Sequence, residues 1–214
     1  MLWPDQQGGQ RVDKGVGIIT MSSNVGFNLT MQRRGLPIAY MISLGNRLKF
    51  DLHDAIFTLA SQKEVTALCI FVEAIPNPKA FQEAVDFARQ LGKPVVAFKI
   101  GRSATAKKMV ISHTASLAGS DALVDALFER LGVARVHSLE ALVEALKVLH
   151  VFGPLPGGRI GAMSTSGGDL TLLADALPPK LDMPPLSNQV AEKLRTILHE
   201  RIVAANPFDF QMFD

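Results

Sequence analysis

His113 lies in the stretch Ser112-His113-Thr114-Ala115-Ser116-Leu117-Ala118-Gly119, among hydroxyls, alanines and a glycine, directly after the apolar run Met109-Val110-Ile111. A neutral imidazole nitrogen is available near physiological pH and is nucleophilic, so such a residue suits proton or group transfer. Glu73 follows the apolar run Leu68-Cys69-Ile70-Phe71-Val72. Taken alone it reads as a solvated strand end, but a carboxylate beside an imidazole fixes the tautomer and stabilises a developing positive charge. Two hydroxyl-rich stretches complete the set: Met21-Ser22-Ser23-Asn24-Val25-Gly26 and Met163-Ser164-Thr165-Ser166-Gly167-Gly168. Small residues let backbone N–H groups approach an anion, and a helix start offers unpaired donors with a partial positive charge. Serine and asparagine are also ordinary N-caps, so either turn alone has a structural explanation. Their duplication in corresponding positions points to anion binding.

These residues need elements to hold them. Short β-rich apolar runs alternate with helical patterns, which implies a parallel sheet covered by helices. The strand candidates are residues 15–20, 38–44, 66–72, 94–100 and 134–137; the helical patterns lie at about 25–34, 51–62, 79–91, 120–131 and 139–150. Residues 79–91 carry Phe81, Val85, Ala88 and Leu91 on one face. Gly35, Gly92 and Gly132 are expected as left-handed residues after helices. Five strands and five helices predict an α/β, flavodoxin-like doubly wound sheet of order 2-1-3-4-5 spanning 15–152, after a lead-in at 1–14. Gly153 to Gly158 (GPLPGG) reads as a linker, and 159–214 as a partial second flavodoxin-like domain, with a strand at 159–163 and helices at 170–177 and 189–198. In such sheets ligands bind beyond the carboxyl ends of the strands where strand order reverses, here between strands 1 and 3. Ser22, Ser23 and Asn24, Glu73, and the nineteen-residue connection Gly101 to Gly119 that carries His113 all fall on that edge. A connection of that length is long enough to suggest function.

Composition excludes several classes. The 214 residues carry a net charge of +2, and the longest basic pairs, Arg33-Arg34 and Lys107-Lys108, are too short for a phosphate-backbone stripe, so nucleic acid is not the expected partner. The single cysteine, Cys69, precludes an internal disulfide and fits a reducing compartment. No run approaches a membrane span and residues 1–10 lack the pattern of a secretory leader, so a cytoplasmic, membrane-free protein is expected.

The block around Ser112-His113-Thr114-Ala115-Ser116-Leu117-Ala118-Gly119 resembles the phosphohistidine loop of the NDP-forming acyl-CoA synthetases, the superfamily that includes succinyl-CoA synthetase. Gly15 to Asn24, Gln32 to Tyr40, Val72 to Ile75, Gly101-Arg102-Ser103, Ser164 to Asp169 and Asn206 to Asp209 resemble family blocks in the same order. The resemblance implies a relay in which acyl-CoA and phosphate give an acyl phosphate, which phosphorylates His113, which then phosphorylates ADP. It assigns Glu73 as the acidic partner of His113. It also assigns Ser22, Ser23 and Asn24, and Ser164, Thr165, Ser166, Gly167 and Gly168, to the two helix starts that receive the phosphorylated ring. Met21, Thr165 and Asp169 stand where glutamine, cysteine and glutamate are usual. No cofactor is expected on this chain itself; phosphate or sulfate is the anion expected at His113. CoA, ADP or ATP and Mg belong to the complete enzyme. Its CoA-binding and ATP-grasp domains, in cis or in trans, are the implied partners, without which this chain is expected to be inactive; a homo-oligomer stays open.

Other readings are weighed against this one. A serine hydrolase lacks a G-x-S-x-G elbow. His53, His137, His150 and His199 are scattered without metal-ligand spacing, so no metal site is expected. A noncatalytic flavodoxin-like module for anion binding or interaction is the alternative from another class.

Overall fold

The computed structural model describes residues 8–45, 49–114, 120–199 and 201–211; the side chains of residues 107 and 111–114 lie outside that description. Two compact units divide the chain, Met1–Pro154 and Leu155–Asp214.

In the first unit β1 (Gly15–Thr20), β2 (Ile38–Ser43), β3 (Val65–Val72), β4 (Val95–Lys99) and β5 (Ala134–Val136) form one parallel sheet in the order β2-β1-β3-β4-β5. Among the described residues six helices accompany it: α1 (Ser23–Thr30), α2 (Leu52–Ala60), α3 (Pro78–Gln90), α4 (Ala104–Thr114), α5 (Asp121–Leu131) and α6 (Leu139–Phe152). Apart from Thr20 and Thr66 the central strands β1 and β3 are apolar, because both faces are covered. Alternation along β3 sends Leu68, Ile70 and Val72 to a core with Ile56 of α2, Phe81 of α3 and Phe128 of α5. Ala67 and Cys69 go to the opposite core with Leu29 of α1 and Leu142 and Leu146 of α6. Phe81 and Phe128, each 1% exposed, pack with ring centroids 6.0 Å apart. Burying each such side chain contributes about 1.5–3 kcal/mol.

Local chemistry sets the element ends. Asp51 caps α2 by accepting from Leu52 N–H at 2.7 Å, and Asp54 accepts from Asp51 N–H at 2.9 Å, a reciprocal capping box. Asn77 caps α3 with Pro78 at its first position, where a missing N–H costs nothing. Gly132 ends α5 at φ 68°, a conformation few other residues tolerate.

Several expectations for this unit need correction. The helix expected at 25–34 stops at Thr30, because the Gln32 amide turns the chain by donating to Leu36 O at 2.9 Å and accepting from Arg34 N–H at 2.6 Å. Gly35 does take a positive φ of 77°, but in that connection rather than as a helix cap. Leu91 is 47% exposed; Ala84 occupies the core face of α3 instead. The connection Gly101 to Gly119 is not an open loop: α4 fills residues 104–114, started by Ser103 Oγ, which accepts from Ala106 N–H at 3.1 Å.

In the second unit β6 (Met163–Ser164) pairs in parallel with β7 (Phe208–Asp209), and α7 (Gly167–Asp175) and α8 (Asn188–Ile197) follow the expected order. The strand expected at 159–163 shrinks to two residues plus a lone bridge between Arg159 and Asp182. The helix expected from 170 begins at Gly167, because Ser166 caps it.

Candidate functional site

The carboxyl edge of the sheet gathers the ends of the five parallel strands, and α1 crosses on the face opposite α2 and α3, so the direction in which strands are added reverses between β1 and β3. Thr20 closes β1, 0% exposed; its hydroxyl donates to Ser22 O at 2.8 Å and accepts from Ser22 N–H at 3.0 Å. This clasp sets Ser22 as the N-cap of α1, its Oγ 3.5 Å from Val25 N. Ser22 O takes the Gly26 N–H at 3.1 Å, which leaves the N–H groups of Ser23 and Asn24 as the first-turn donors for an outside acceptor. Ser23 and Asn24 are exposed, and Ser23 Oγ lies 2.8 Å from Ser43 Oγ at the end of β2. Gly26 permits this close seating of α1: a Cβ there would stand 2.5 Å from Met41 Sδ and 3.0 Å from Thr20 Cγ2.

Glu73 follows β3 directly and is 6% exposed. Its backbone N–H donates to Met21 Sδ at 3.3 Å, which joins the end of β3 to the turn that starts α1. Its Oε2 is buried and has no hydrogen-bond partner among the described residues. Such a carboxylate oxygen is costly unless something pairs with it. The expectation of a solvated strand end is therefore incorrect, because the side chain is enclosed at the reversal point. The backbone of His113 belongs to the last turn of α4, which starts from the same edge; its side chain, and residues 115–119, lie outside the described residues.

The second turn repeats the first in its hydrogen bonds. Ser164 Oγ accepts from Ser166 N–H at 3.0 Å, as Thr20 Oγ1 does from Ser22, and Ser166 Oγ accepts from Asp169 N–H at 3.2 Å. Ser166 is thus the counterpart of Ser22, two positions later than an alignment on Met21 and Met163 suggests. Thr165 lies between strand and cap, and Gly167 and Gly168 form the first turn of α7. A Cβ at Gly167 would stand 2.8 Å from Asp209 Oδ2, so only glycine lets the β7 carboxylate sit beside this helix start. Asn206 braces the turn: its Nδ2 donates to Ile160 O and Pro184 O, both at 2.9 Å, and its Oδ1 accepts from Ala162 N–H at 3.1 Å.

Sequence reasoning missed a charged cluster at the ends of β4 and β5. The Lys99 side chain is 0% exposed, donates to Ile100 O at 2.9 Å and lies 3.7 Å from Asp121 Oδ1. Asp121 also accepts from Arg135 Nη2 at 2.7 Å, and Arg135 donates to Asp125 at 3.0 Å. Burial pushes the Asp121 carboxyl up, but the Arg135 hydrogen bond and the charges of Arg135, Lys99 and Arg102 outweigh it and hold the group below its ordinary value. Arg102 Nη1 lies 2.7 Å from His137 Nδ1. The available signal was a lysine inside the apolar run Pro94-Val-Val-Ala-Phe-Lys-Ile100. Among the described residues no three His, Cys, Asp or Glu side chains gather as metal ligands, and no helix is long and apolar enough to cross a membrane.

Comparison with known proteins fits this architecture. Residues 13–149 match the family described as the succinyl-CoA ligase like flavodoxin domain. Over 199 residues the chain is 31% identical to the alpha subunit of the ADP-forming acetate–CoA ligase II of Pyrococcus furiosus, covering 91% of this chain and 43% of that protein. It is 28% identical over 179 residues to the ADP-forming 4-hydroxybutyrate–CoA ligase of Nitrosopumilus maritimus, covering 82% and 25%. The solved acetyl-coenzyme A synthetase 1 of Ca. Korarchaeum cryptofilum, in complex with phosphate and ADP, shares the fold with a TM-score of 0.79 at 22% identity, over 94% of this chain and 44% of that one. The chain spans less than half the length of each of these proteins. With its β2-β1-β3-β4-β5 sheet and the match over residues 13–149, the chain belongs to the succinyl-CoA ligase like flavodoxin domain family.

Proposed function

We propose that this chain is the phosphohistidine-carrying part of an ADP-forming acyl-CoA ligase, with His113 as the carrier. The observation that carries the reading is Glu73, a buried carboxylate whose Oε2 has no partner among the described residues, at the strand-order reversal beside the capped start of α1. A cation or an N–H donor is what such an oxygen requires, and an imidazole supplies either.

In the proposed relay phosphate displaces CoA from acyl-CoA, giving an acyl phosphate. A neutral nitrogen of His113 attacks its phosphorus, the P–O bond to the acyl carboxylate breaks, and the carboxylate leaves. Glu73 accepts the N–H of the other ring nitrogen, fixes the tautomer and stabilises the positive charge that develops on the ring. An oxygen of the ADP β-phosphate then attacks the phosphorus on the ring, the P–N bond breaks, and ATP and neutral His113 result. The start of α1, with the N–H groups of Ser23 and Asn24, and the start of α7, with those of Gly167 and Gly168, each receive the phosphoryl group in turn. Asp209 makes the α7 end the less favourable for a dianion, which suits a site of release. CoA-binding and ATP-grasp domains, in cis or in trans, complete the enzyme and hold CoA, nucleotide and Mg; these residues alone do not complete the cycle.

The test is incubation of the assembled ligase with γ-labelled ATP. An acid-labile, alkali-stable label that is lost in His113→Ala is expected. Equal label in His113→Ala, or none in the assembled enzyme, overturns the reading and leaves a noncatalytic anion-binding module.

A further inference from the structure

The chain leaves β4 at Lys99, passes through α4, which carries the backbone of His113, and begins α5 at Asp121; Lys99 and Asp121 are joined across the base of this segment. Lys99 Nζ is 3.7 Å from Asp121 Oδ1, with the lysine side chain fully buried. Asp121 is the first residue of α5, and Arg135 of β5 holds the same oxygen at 2.7 Å with its own side chain only 7% exposed. One carboxylate oxygen therefore ties the exit of β4 to the start of α5 and anchors both to β5. The sheet itself does not require this: β4 and β5 are paired through Val96, Ala97 and Phe98, before Lys99 is reached. Burying a lysine is unfavourable unless a partner recovers the lost hydration, so a fully buried ammonium here needs a reason.

We infer that the Lys99–Asp121 pair is a positioning device: it pins the two ends of the segment between them and so fixes where His113 is presented. The inference rests on His113 being the phosphate carrier. In this role the two residues act through the backbone that α4 carries. A carrier that must meet an acyl phosphate and then ADP gains from fixed ends, since small errors in placement lower transfer rates steeply.

The experiment uses the complete ligase, nucleotide-binding domain included, with γ-labelled ATP as the probe. Lys99→Met removes the link across the segment and leaves Asp121 on Arg135. Asp125→Asn removes the other partner of Arg135 and leaves the link intact. Per folded molecule, Lys99→Met is expected to slow labelling of His113 by about 10- to 100-fold with KM for ATP unchanged. Asp125→Asn is expected to label at the unaltered rate. Asp121→Glu, which keeps the charge but moves it by one methylene, is expected to slow labelling by about tenfold and stands in for Lys99→Met if that variant does not fold. Thermal unfolding measured alongside separates placement from stability, because a purely structural pair lowers Tm without changing the rate of the folded fraction. His113-dependent labelling at the unaltered rate in the folded variants overturns the positioning role alone. Loss of His113-dependent labelling in the unaltered enzyme overturns the carrier reading and this one with it.

Discussion

Replacing Glu73 by glutamine separates function from stability, because labelling should fall while stability barely moves. The side chain is 6% exposed and Oε2 has no hydrogen-bond partner among the described residues, so the proposed partner, the His113 N–H, has to offset the cost of the buried charge. A buried unsatisfied group costs about 1–3 kcal/mol, and more when charged; Glu73→Gln keeps the shape and removes the charge. Removing the charge recovers desolvation cost but weakens the bond to the His113 N–H, so stability of the first unit should change by no more than about 1 kcal/mol. For a unit of this size each kcal/mol shifts Tm by about 2–4 °C, so thermal unfolding should move by no more than about 4 °C. Labelling of His113 should fall. A hydrogen bond to a charged group contributes about 1.5–3 kcal/mol, which corresponds to a rate of phosphoryl transfer lower by about 10- to 150-fold. Scanning calorimetry and the initial rate of label incorporation are measured on the same preparation. A Glu73→Gln variant with lower Tm and unchanged labelling would refute the reasoning, since Glu73 would then be a structural anchor with no part in transfer.

Cys69 is 0% exposed and its thiol is pushed up to about 12 by burial, so native protein should not react with thiol reagents at pH 8 while unfolded protein reacts at once. The lowered Asp121 carboxyl contributes stability that is fully present above its unfolded value near 3.9 and is lost as pH falls through its lower folded value; Asp121→Asn should therefore flatten the acid limb of a stability–pH curve below about pH 4. Ser22→Ala and Ser166→Ala each remove a cap, and should each lower stability by about 1 kcal/mol in denaturant titrations; Ser23→Ala, whose hydroxyl meets Ser43 and not the helix backbone, should cost less.

Much of the first unit was legible because its elements are strongly periodic. GVGIIT and TALCIFV could be placed as strands from their nearly continuous apolar character, and their central position follows from the flavodoxin-like order that the alternation of strands and helices suggested. Helix α4 was missed because ATAKKMVISHT sets Met109, Val110 and Ile111 side by side rather than at helical spacing, so only one of the first two, Val110, is buried while Met109 is 66% exposed. Its alanines, lysines and methionine are good helix formers, and propensity outweighed the missing stripe. The α1 boundary depended on one glutamine amide bonding to both sides of a turn, which no local pattern announces. The hydroxyl turns could be found from composition, but their true match, Ser22 with Ser166, needed the hydrogen bonds. Lys99, Asp121 and Arg135 lie far apart in sequence and meet only through tertiary structure, so their network could not be read locally.

The central claim is that the phosphoryl group resides on His113 and leaves it in both directions. A pulse and chase tests this most directly: the assembled enzyme is labelled with γ-labelled ATP, freed of nucleotide, divided and chased, with peptides mapped under alkaline conditions. The account predicts label on the peptide that contains His113, transferred to ATP on addition of ADP, and released as inorganic phosphate on addition of the carboxylic acid with CoA. Label on a serine or acidic side chain, or label on His113 that survives both chases, would contradict it.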